Sequence, residues 1–278
     1  MGIHLKITDL VLVFVTSLIV ILISIIGWNR RGLIVIFFSL GLVLFIILVL
    51  LFEGFRRNEM DNKRLNQNYR QIEALLSLLS VINPRRPLPP MRRWVISPDF
   101  ANIIISMVID HKPKVICECG GGISTVFTCY CLDDLKDGHV FSLEQDGKYA
   151  QKTKKNLKAH GLENYATVIY APLTNLTLKA KSWKWYNTSF KKELEKIDML
   201  VIDGPSGDVQ KMARYPALPV LYDTLSENAV IIVDDAKRKD ERDMVKAWLT
   251  EFKDLEYEWY DTEKGCVILR RRSHKKGN

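Results

Sequence analysis

The sequence predicts an α/β domain with a seven-stranded, mostly parallel sheet, preceded by two membrane-spanning helices and a linker helix. Two uncharged apolar runs, residues 10–27 and 33–52, lie close to the N-terminus. From residue 94 onward, apolar runs of strand length alternate with helical segments, which is typical of a parallel sheet covered on both faces. The last two runs are joined by DTEKG, residues 261–265, which predicts a hairpin and a terminal antiparallel strand.

Each apolar run is long enough to span a bilayer, since about 20 residues cross the hydrocarbon core. A secretory signal peptide is the main alternative for the first run, but no small-residue cleavage site follows it. An unusually apolar soluble helix pair is the other alternative. Arg30 and Arg31 occupy the turn, whereas more basic residues lie on the other side, namely Lys6, Arg56, Arg57, Lys63, Arg64 and Arg70. This distribution predicts an integral membrane protein with both termini and the α/β domain in the cytoplasm.

The segment between the apolar runs and the α/β domain predicts a helix followed by a linker. Residues 53–82 carry apolar side chains at a spacing of three or four, at Leu65, Tyr69, Ile72, Leu76 and Leu79. That spacing fits either a coiled coil, and hence a homo-oligomer, or a helix that packs on the next domain. NPRRPLPP, residues 83–90, then predicts a stiff linker. The predicted domains are a transmembrane hairpin at 1–52, a helix and linker at 53–93, and an α/β domain at 94–278.

Charge and cysteine usage narrow the choice of partners. The formal net charge of +8 suits a domain held against an anionic lipid bilayer. With a membrane hairpin upstream, the basic clusters are interpreted as solvated faces, and nucleic-acid binding is not expected. The five cysteines lie at residues 117, 119, 129, 131 and 266, and their C-x-C spacing differs from the C-x-x-C of zinc knuckles. We therefore expect small buried hydrophobic residues rather than metal ligands.

The α/β domain is predicted to open with a helix that starts at SPDF and runs to about residue 110. Ser97 or Asp99 is its expected N-cap. Seven strands follow, with helical segments predicted between the first five. The strands are expected at residues 114–119, 139–144, 166–170, 198–203, 229–234, 255–260 and 265–270.

Three glycines directly follow the first predicted strand, in VICECGGGIST, residues 115–125. In open α/β sheets such a turn lets the backbone approach a ligand at a helix N-terminus. Gly120 and Gly122 are the close-approach positions, and Ser124 and Thr125 supply hydroxyls in the first helical turn. A dinucleotide fingerprint would need glycine where Thr125 stands. Glu144 ends the second strand, 22 residues after Gly122, where an acid can bind both hydroxyls of a ribose. These features predict a ligand that contains a nucleoside.

From residue 94 to 271 the chain resembles the class I S-adenosylmethionine-dependent methyltransferases, which have a Rossmann-like sheet. Residues 118–122 are similar to the first motif of that family, which lies against the methionine part of the cofactor, and Glu144 resembles its ribose-binding acid. Ala171 and Pro172 are similar to the segment beside the adenine, and the terminal strand pair fits the family's reversed seventh strand. The resemblance implies S-adenosylmethionine as cofactor, held by Glu118, Gly120, Gly122, Ser124, Thr125, Glu144 and Ala171.

Three carboxylates follow the fourth and fifth predicted strands. Asp203 ends the fourth strand, and Asp234 and Asp235 end the fifth, so all three should meet at the edge where the cofactor is expected. Converging carboxylates repel one another, raise a pKa or share a cation, and hard oxygen ligands favour Mg²⁺. The alternatives are structural: Asp203 would cap a turn, and Asp234 and Asp235 would cap a helix.

Within that family, the catechol-type O-methyltransferases resemble this arrangement, because acids at the same two strand ends jointly hold magnesium. Asp203 and Asp234 match directly, whereas Asp235 stands where that subgroup has an amide. Ser206 replaces the lysine that the subgroup carries. For a hydroxyl acceptor, Asp203 or Asp235 would serve as base, or a metal would lower the pKa of the hydroxyl. Arg214 and Tyr215 follow the fourth strand and either shape an acceptor pocket or belong to a surface helix.

The leading functional hypothesis is a membrane-anchored S-adenosylmethionine-dependent methyltransferase. The anchor suggests an acceptor that is membrane-associated or lipid-linked, and O-methylation follows from the catechol-type resemblance. One alternative is a non-catalytic, membrane-tethered scaffold that binds a nucleoside. Aminopropyl transfer is a further alternative, but a chain with a net charge of +8 is a poor host for a polycationic substrate.

Overall fold

The computed structural model describes residues 7–26, 32–89, 91, 96–194 and 196–272. The chain divides into two compact units, Met1–Tyr69 and Arg70–Asn278. The first unit contains helix α1 (Ile7–Ile26) and most of helix α2 (Gly32–Val81), which continues without a break through residue 53. The predicted turn at Arg30 and Arg31 lies outside the described residues.

One helical segment of the described chain, Ile36–Val81, is long and apolar enough to cross a membrane by length and composition. None of its most apolar window is buried against protein. A single helix of this composition is weak evidence of a span, because core helices and signal sequences pass the same test. The two-span hairpin and its orientation therefore stay predictions.

The last turns of α2 pack on helix α3 (Pro98–His111) inside the second unit. Leu78 and Ile82 are fully buried in the core. Gln71 Nε2 donates to Asp99 Oδ2 at 2.8 Å. Helix α3 confirms the predicted helix, and Ser97 occupies the N-cap position without a hydrogen bond from its hydroxyl.

The face of α2 that packs on α3 is not the predicted seam. The seam residues are exposed, with exposed fractions between 38% and 64%, at Leu65, Tyr69, Ile72, Leu76 and Leu79. Helix packing on the next domain therefore uses a neighbouring face, centred on Leu78. A homo-oligomer through the seam stays a prediction.

The second unit is built on a seven-stranded sheet with the order β3-β2-β1-β6-β7-β9-β8. All pairs are parallel except those of β9, which is antiparallel to both β7 and β8. The predicted fold class is therefore confirmed. The strands are β1 (Val115–Cys119), β2 (His139–Glu144), β3 (Ala166–Tyr170), β6 (Ile197–Ile202), β7 (Leu225–Val233), β8 (Leu255–Tyr260) and β9 (Cys266–Arg271).

Helices cover both faces of this sheet and create two apolar layers. Because successive strand residues point to opposite faces of the sheet, Ile116 packs in the apolar layer with α3, whereas Cys117 packs in the other layer. All five cysteines are free and buried, as the sequence predicted. The main helices of the domain after α3 are α4 (Ile123–Leu135), α5 (Gly147–His160), the short α6 (Ala217–Leu221) and α7 (Lys239–Glu251).

The predicted helix between the third and fourth sheet strands is wrong. An antiparallel ribbon of β4 (Leu173–Leu178) and β5 (Lys181–Tyr186) lies there, followed by a short 3-10 helix. Its turn uses Lys179 and Ala180 at φ of 50° and 63°, conformations that glycine or asparagine would normally signal. Trp185 and Tyr186 are buried at the end of the ribbon and anchor it to the domain.

Adjacent leucines on α2 provide a matched test of this packing. Leu78→Ala should lower the free energy of unfolding by about 2–5 kcal/mol, because it leaves a cavity in the core. Leu79→Ala removes a partly exposed side chain and should change it by about 0.5 kcal/mol. Urea unfolding of the full-length protein in detergent micelles measures both. Equal effects of the two substitutions would contradict the burial of Leu78 against the α/β domain.

Candidate functional site

A cleft of about 670 Å³ opens at the carboxyl ends of β1, β2, β6 and β7. A smaller pocket of about 190 Å³ adjoins it at the start of α4 and shares Gly121, Tyr149 and Asp203 with it. Parallel strands end at one edge of the sheet, so the predicted site residues are brought together here. Gly120, Glu144, Asp203 and Asp235 line the cleft, and Gly122 and Ser124 line the smaller pocket.

At two glycines of the turn after β1 the absence of a side chain matters, for a different reason at each. Gly120 has φ of +89°, and a Cβ there would stand 2.9 Å from the main-chain nitrogen of Gly204. Gly122 has φ of +155°, but a Cβ there would meet no atom within 4 Å. Gly120 therefore allows two loops to pack backbone against backbone. Gly122 leaves bare backbone facing open space, as a close-approaching ligand requires.

Glu118 supports this turn from behind. The Thr125 hydroxyl donates to Glu118 Oε2 at 2.5 Å, and the main-chain nitrogen of Gly122 donates to the same hydroxyl at 3.1 Å. Only 3% of Glu118 is exposed, and Thr125 is fully buried. Burial raises the pKa of Glu118 to about 7. The structure therefore places these two predicted cofactor residues beneath the loop, where they fix its shape.

Glu144 lies at the end of β2 on the wall of the cleft. Its Oε1 accepts a hydrogen bond from the main-chain nitrogen of Asp146 at 3.1 Å, and burial raises its pKa. The main-chain nitrogen of Ala171 donates to the carbonyl oxygen of Glu144 at 2.9 Å. The ends of β2 and β3 are thus tied together, with Glu144 beside the predicted adenine segment.

Three carboxylates converge on the opposite wall, as the sequence predicted. The side-chain oxygens of Asp203, Asp234 and Asp235 lie within 4.8 Å of one another. Parallel pairing of β6 with β7 places them there, since Ile202 is the register partner of Val233. Burial raises the pKa of Asp203, and it raises the pKa of Asp234 well above its usual range.

Arg214, which the sequence offered as an acceptor-pocket residue, lines the cleft and lies within this carboxylate cluster, where the sequence did not place it. Its Nη2 donates to Asp235 Oδ2 at 2.6 Å and to Asp203 Oδ1 at 3.2 Å. Its side chain is only 4% exposed. The signal available in the sequence was indirect: three buried carboxylates need a cation, and an arginine follows in the loop after β6. Tyr215, the other predicted pocket residue, packs in the core, where its hydroxyl donates to Glu251 at 2.7 Å.

Two further cations surround the carboxylates. Arg238 Nη1 lies 2.9 Å from Asp235 Oδ2, and Lys264 Nζ lies 4.0 Å from Asp234 Oδ2. The three acidic side chains are therefore faced by three basic ones.

This donor set does not fit the predicted Mg²⁺ while Arg214 holds two of the three carboxylates. Mg²⁺ demands octahedral oxygen ligands at about 2.0–2.1 Å. An ion that close to Asp203 and Asp235 would stand against the buried guanidinium. The Mg²⁺ predicted from the sequence therefore stays a prediction, and the position of Arg214 argues against it.

Tyr186 is a cleft residue that the sequence did not single out, because it belongs to the unpredicted ribbon. A Cβ on Gly204 would stand 2.4 Å from its hydroxyl oxygen, so Gly204 is the residue that gives Tyr186 room. Burial raises the pKa of Tyr186 well above its usual value, which keeps the phenol protonated as a donor. Ser206 lies at the rim of the cleft, and its hydroxyl donates to Asp208 Oδ2 at 3.3 Å.

The raised pKa of Glu118 predicts a pH-dependent stability. Because the folded state holds the proton of Glu118 more tightly than the unfolded state does, the contribution of Glu118 to stability is fully present below pH 4.5 and is lost as the pH rises to about 7. Glu118→Gln removes this titration, so the wild type should lose stability relative to the variant across that window. Thermal midpoints between pH 4.5 and 8 measure the difference.

Glu163→Gln, at an exposed acid, is the control for this measurement, and its curve should run parallel to that of the wild type. A Glu118→Gln curve that also runs parallel would contradict the buried, protonated carboxyl.

Comparison with known proteins agrees with this geometry. The family model of a methyltransferase domain matches residues 117–236, which include the glycine turn and the three carboxylates. No curated protein matches the chain in sequence.

Solved structures share the fold at low identity. The methyltransferase PaMTH1 of Podospora anserina, solved with SAH bound, has 18% identity and a TM-score of 0.52, over 72% of this chain and 87% of its own. Cofactor-bound Rv0187 from MTB has 17% identity and a TM-score of 0.50, over 73% and 90%. The O-methyltransferase TomG of Streptomyces achromogenes, in complex with SAM, has 12% identity and a TM-score of 0.50, over 72% and 96%.

Family match and strand order coincide on the same cleft. Residues 117–236 are thus similar to the methyltransferase-domain family, and the sheet that carries them has the Rossmann-like fold of the solved methyltransferases.

Proposed function

We propose that the protein is a membrane-anchored, S-adenosylmethionine-dependent O-methyltransferase that acts on a membrane-associated or lipid-linked acceptor. The observation that carries the proposal is a single cleft with a bare glycine turn and Glu144 on one wall and Asp203 on the other. The first wall suits a nucleoside cofactor, and the second suits removal of a proton from an acceptor.

The cofactor would lie across the ends of β1 and β2. Glu144 would accept hydrogen bonds from both ribose hydroxyls, Ala171 would lie beside the adenine, and Gly122 would admit the methionine part. The PaMTH1 structure contains SAH and the TomG structure contains SAM, and both share this fold. That likeness supports the same cofactor here.

Asp203 is the better of the two predicted bases. Its side chain is 23% exposed and lines the cleft, whereas Asp235 is 3% exposed and is engaged by Arg214 and Arg238. Burial raises the pKa of Asp203, which makes its carboxylate a stronger base. In the transfer, the acceptor oxygen would bond to the methyl carbon as the carbon–sulfur bond breaks. The sulfur would keep the bonding electrons, and the hydroxyl proton would pass to Asp203.

Membrane anchoring would limit the acceptors that reach this cleft. We infer that α1 and α2 form a hairpin with both ends in the cytoplasm, supported by the apolar window within Ile36–Val81 and by the basic residues from Arg56 onward in the same helix. An acceptor carried by a lipid would share the bilayer surface with the domain. A higher local concentration of acceptor follows from that arrangement.

Paired variants separate cofactor binding from turnover. Glu144→Ala should weaken S-adenosylmethionine binding about tenfold or more in calorimetric titration, because it removes charge-assisted hydrogen bonds to the ribose. Asp203→Asn should leave binding within about threefold but lower methyl transfer by roughly 10²–10⁴, since the general base is lost. Transfer is measured as labelled methyl recovered from membranes of cells that produce each variant, in chloroform–methanol and in aqueous extracts.

Glu163→Ala, at an exposed acid, is the control and should match the wild type in both measurements. Tighter binding of NAD than of S-adenosylmethionine would refute the cofactor assignment. Binding without any transfer by the wild type would favour the non-catalytic scaffold. Label in the aqueous extract alone would contradict a lipid-linked acceptor.

Cysteine labelling tests the proposed topology, because all five native cysteines are buried. In Ser77→Cys the new thiol lies on an exposed position of α2 and should react with a membrane-impermeant maleimide only after the cells are permeabilised. Arg31→Cys, in the proposed turn, should react in intact cells. The reverse pattern would show the opposite orientation, and equal reactivity without permeabilisation would contradict the hairpin.

A further inference from the structure

We propose that Arg214 supplies the positive charge of the carboxylate cluster from the chain itself, so that the site holds its geometry without a divalent metal ion. The importance of Arg214 for methyl transfer rests on the proposed function, whereas the position of its guanidinium among the carboxylates does not depend on that function. Asp203, Asp234 and Asp235 present carboxylate oxygens within 4.8 Å of one another, which is a geometry in which a cation is expected.

The guanidinium lies where such a cation would bridge two of the acids. One nitrogen, Nη2, bonds to both Asp235 Oδ2 at 2.6 Å and Asp203 Oδ1 at 3.2 Å. A single donor nitrogen thus joins the acids of two neighbouring strand ends, as a bridging metal ion would.

Main-chain contacts fix Arg214 in this position. Its Nη1 donates to the carbonyl oxygen of Asp234 at 3.1 Å, and its Nε donates to that of Pro205 at 3.4 Å. One carbonyl belongs to the loop after β7 and the other to the loop after β6, so the planar guanidinium is held by both loops that carry the acids. With 4% of its side chain exposed, Arg214 is built into the fold.

Charge balance also disfavours an added divalent ion. Arg238 bonds to Asp235 at 2.9 Å, and Lys264 approaches Asp234 at 4.0 Å. Together with Arg214, these side chains match the three carboxylates in number. A divalent ion would add two positive charges beside a buried cation, where repulsion between charges is screened less than at the protein surface.

Arg214 is therefore a positioning residue for the proposed reaction. By holding Oδ1 of Asp203, it fixes the side chain that lines the cleft. The sequence departs from the catechol-type pattern at Ser206 and Asp235, and both departures are compatible with a cation that comes from the loop after β6.

Manganese binding to the full-length protein in detergent micelles tests the proposal directly. The electron paramagnetic resonance signal of free Mn²⁺ measures binding without any need for cofactor or acceptor. We expect the wild type to take up no stoichiometric Mn²⁺, whereas Arg214→Ala should bind one Mn²⁺ at least about tenfold more tightly, because the repelling charge is gone. Mn²⁺ should also raise the melting temperature of this variant.

Arg238→Ala is the matched control, since it removes an exposed cation from the same oxygen of Asp235 and should gain little Mn²⁺ affinity. Stoichiometric Mn²⁺ binding by the wild type, lost in Asp234→Asn, would overturn the proposal. So would a folded Arg214→Ala protein that binds no Mn²⁺. If that variant does not fold, the wild-type titration decides alone, with Arg214→Lys expected to fold and to exclude Mn²⁺ as the wild type does.

A separate titration with S-adenosylmethionine in the presence of EDTA distinguishes this proposal from the proposed function. Affinity within about twofold of that in Mg²⁺ buffer supports a cofactor site that needs no divalent ion. Failure to bind S-adenosylmethionine under both conditions would count against the proposed function, while the Mn²⁺ result would still stand. Binding that requires Mg²⁺ would overturn the inference about Arg214.

Discussion

Main-chain hydrogen bonds between the loops after β1 and β6 are the constraint on which the site depends. The carbonyl oxygen of Cys119 accepts from the main-chain nitrogens of both Asp203, at 3.0 Å, and Gly204, at 2.6 Å. The approach is close enough that neither Gly120 nor Gly204 could carry a side chain without displacing an atom. One carbonyl thus sets the distance between the glycine turn and the carboxylate wall, which makes the two walls of the cleft a single unit.

This arrangement buries acidic side chains on both sides of the cleft, and the fold stabilises them in two different ways. On the side of the glycine turn, hydroxyls such as that of Thr125 face Glu118, and burial raises the pKa of Glu118 to about 7, so that the carboxyl can carry its proton. On the other side, Arg214 compensates the carboxylates within the fold. A neutral acid can support a loop without attracting ions, whereas a compensated cluster keeps an ionised oxygen next to the cleft.

The sheet could be predicted from sequence because its strands are continuous apolar runs, and parallel pairing brings their carboxyl ends to one edge. The meeting of Glu144, Asp203 and Asp235 follows from that rule alone. The role of Glu118 could also be predicted from the sequence. Alternation along β1 puts Glu118 on the same face as Ile116, toward α4 and Thr125. Cys117 and Cys119 lie on the opposite face. Arg214 was predicted as a pocket residue and lines the cleft, but its ion pairs with Asp203 and Asp235 were not predicted, because the path of an irregular loop follows no periodicity. Tyr186 was not predicted as a site residue because the ribbon that carries it was not predicted. The turn of this ribbon lacks the glycine or asparagine that normally indicates a hairpin.

Helix α2 is 50 residues long, and specific contacts hold its last turns and the linker after it within the second unit. The main-chain nitrogen of Arg85 donates to the Tyr130 hydroxyl at 2.8 Å, and that hydroxyl lies 2.7 Å from His160 Nδ1. The Arg85 side chain pairs with Asp133. These partners belong to α4 and α5, the two helices that begin at the cleft. Since Leu78 and Ile82 are also core residues, the last turns of α2 and the linker form part of the domain rather than a loose tether. A loose tether would make none of these contacts, whereas residues 70–89 contribute core side chains and hydrogen bonds to the second unit.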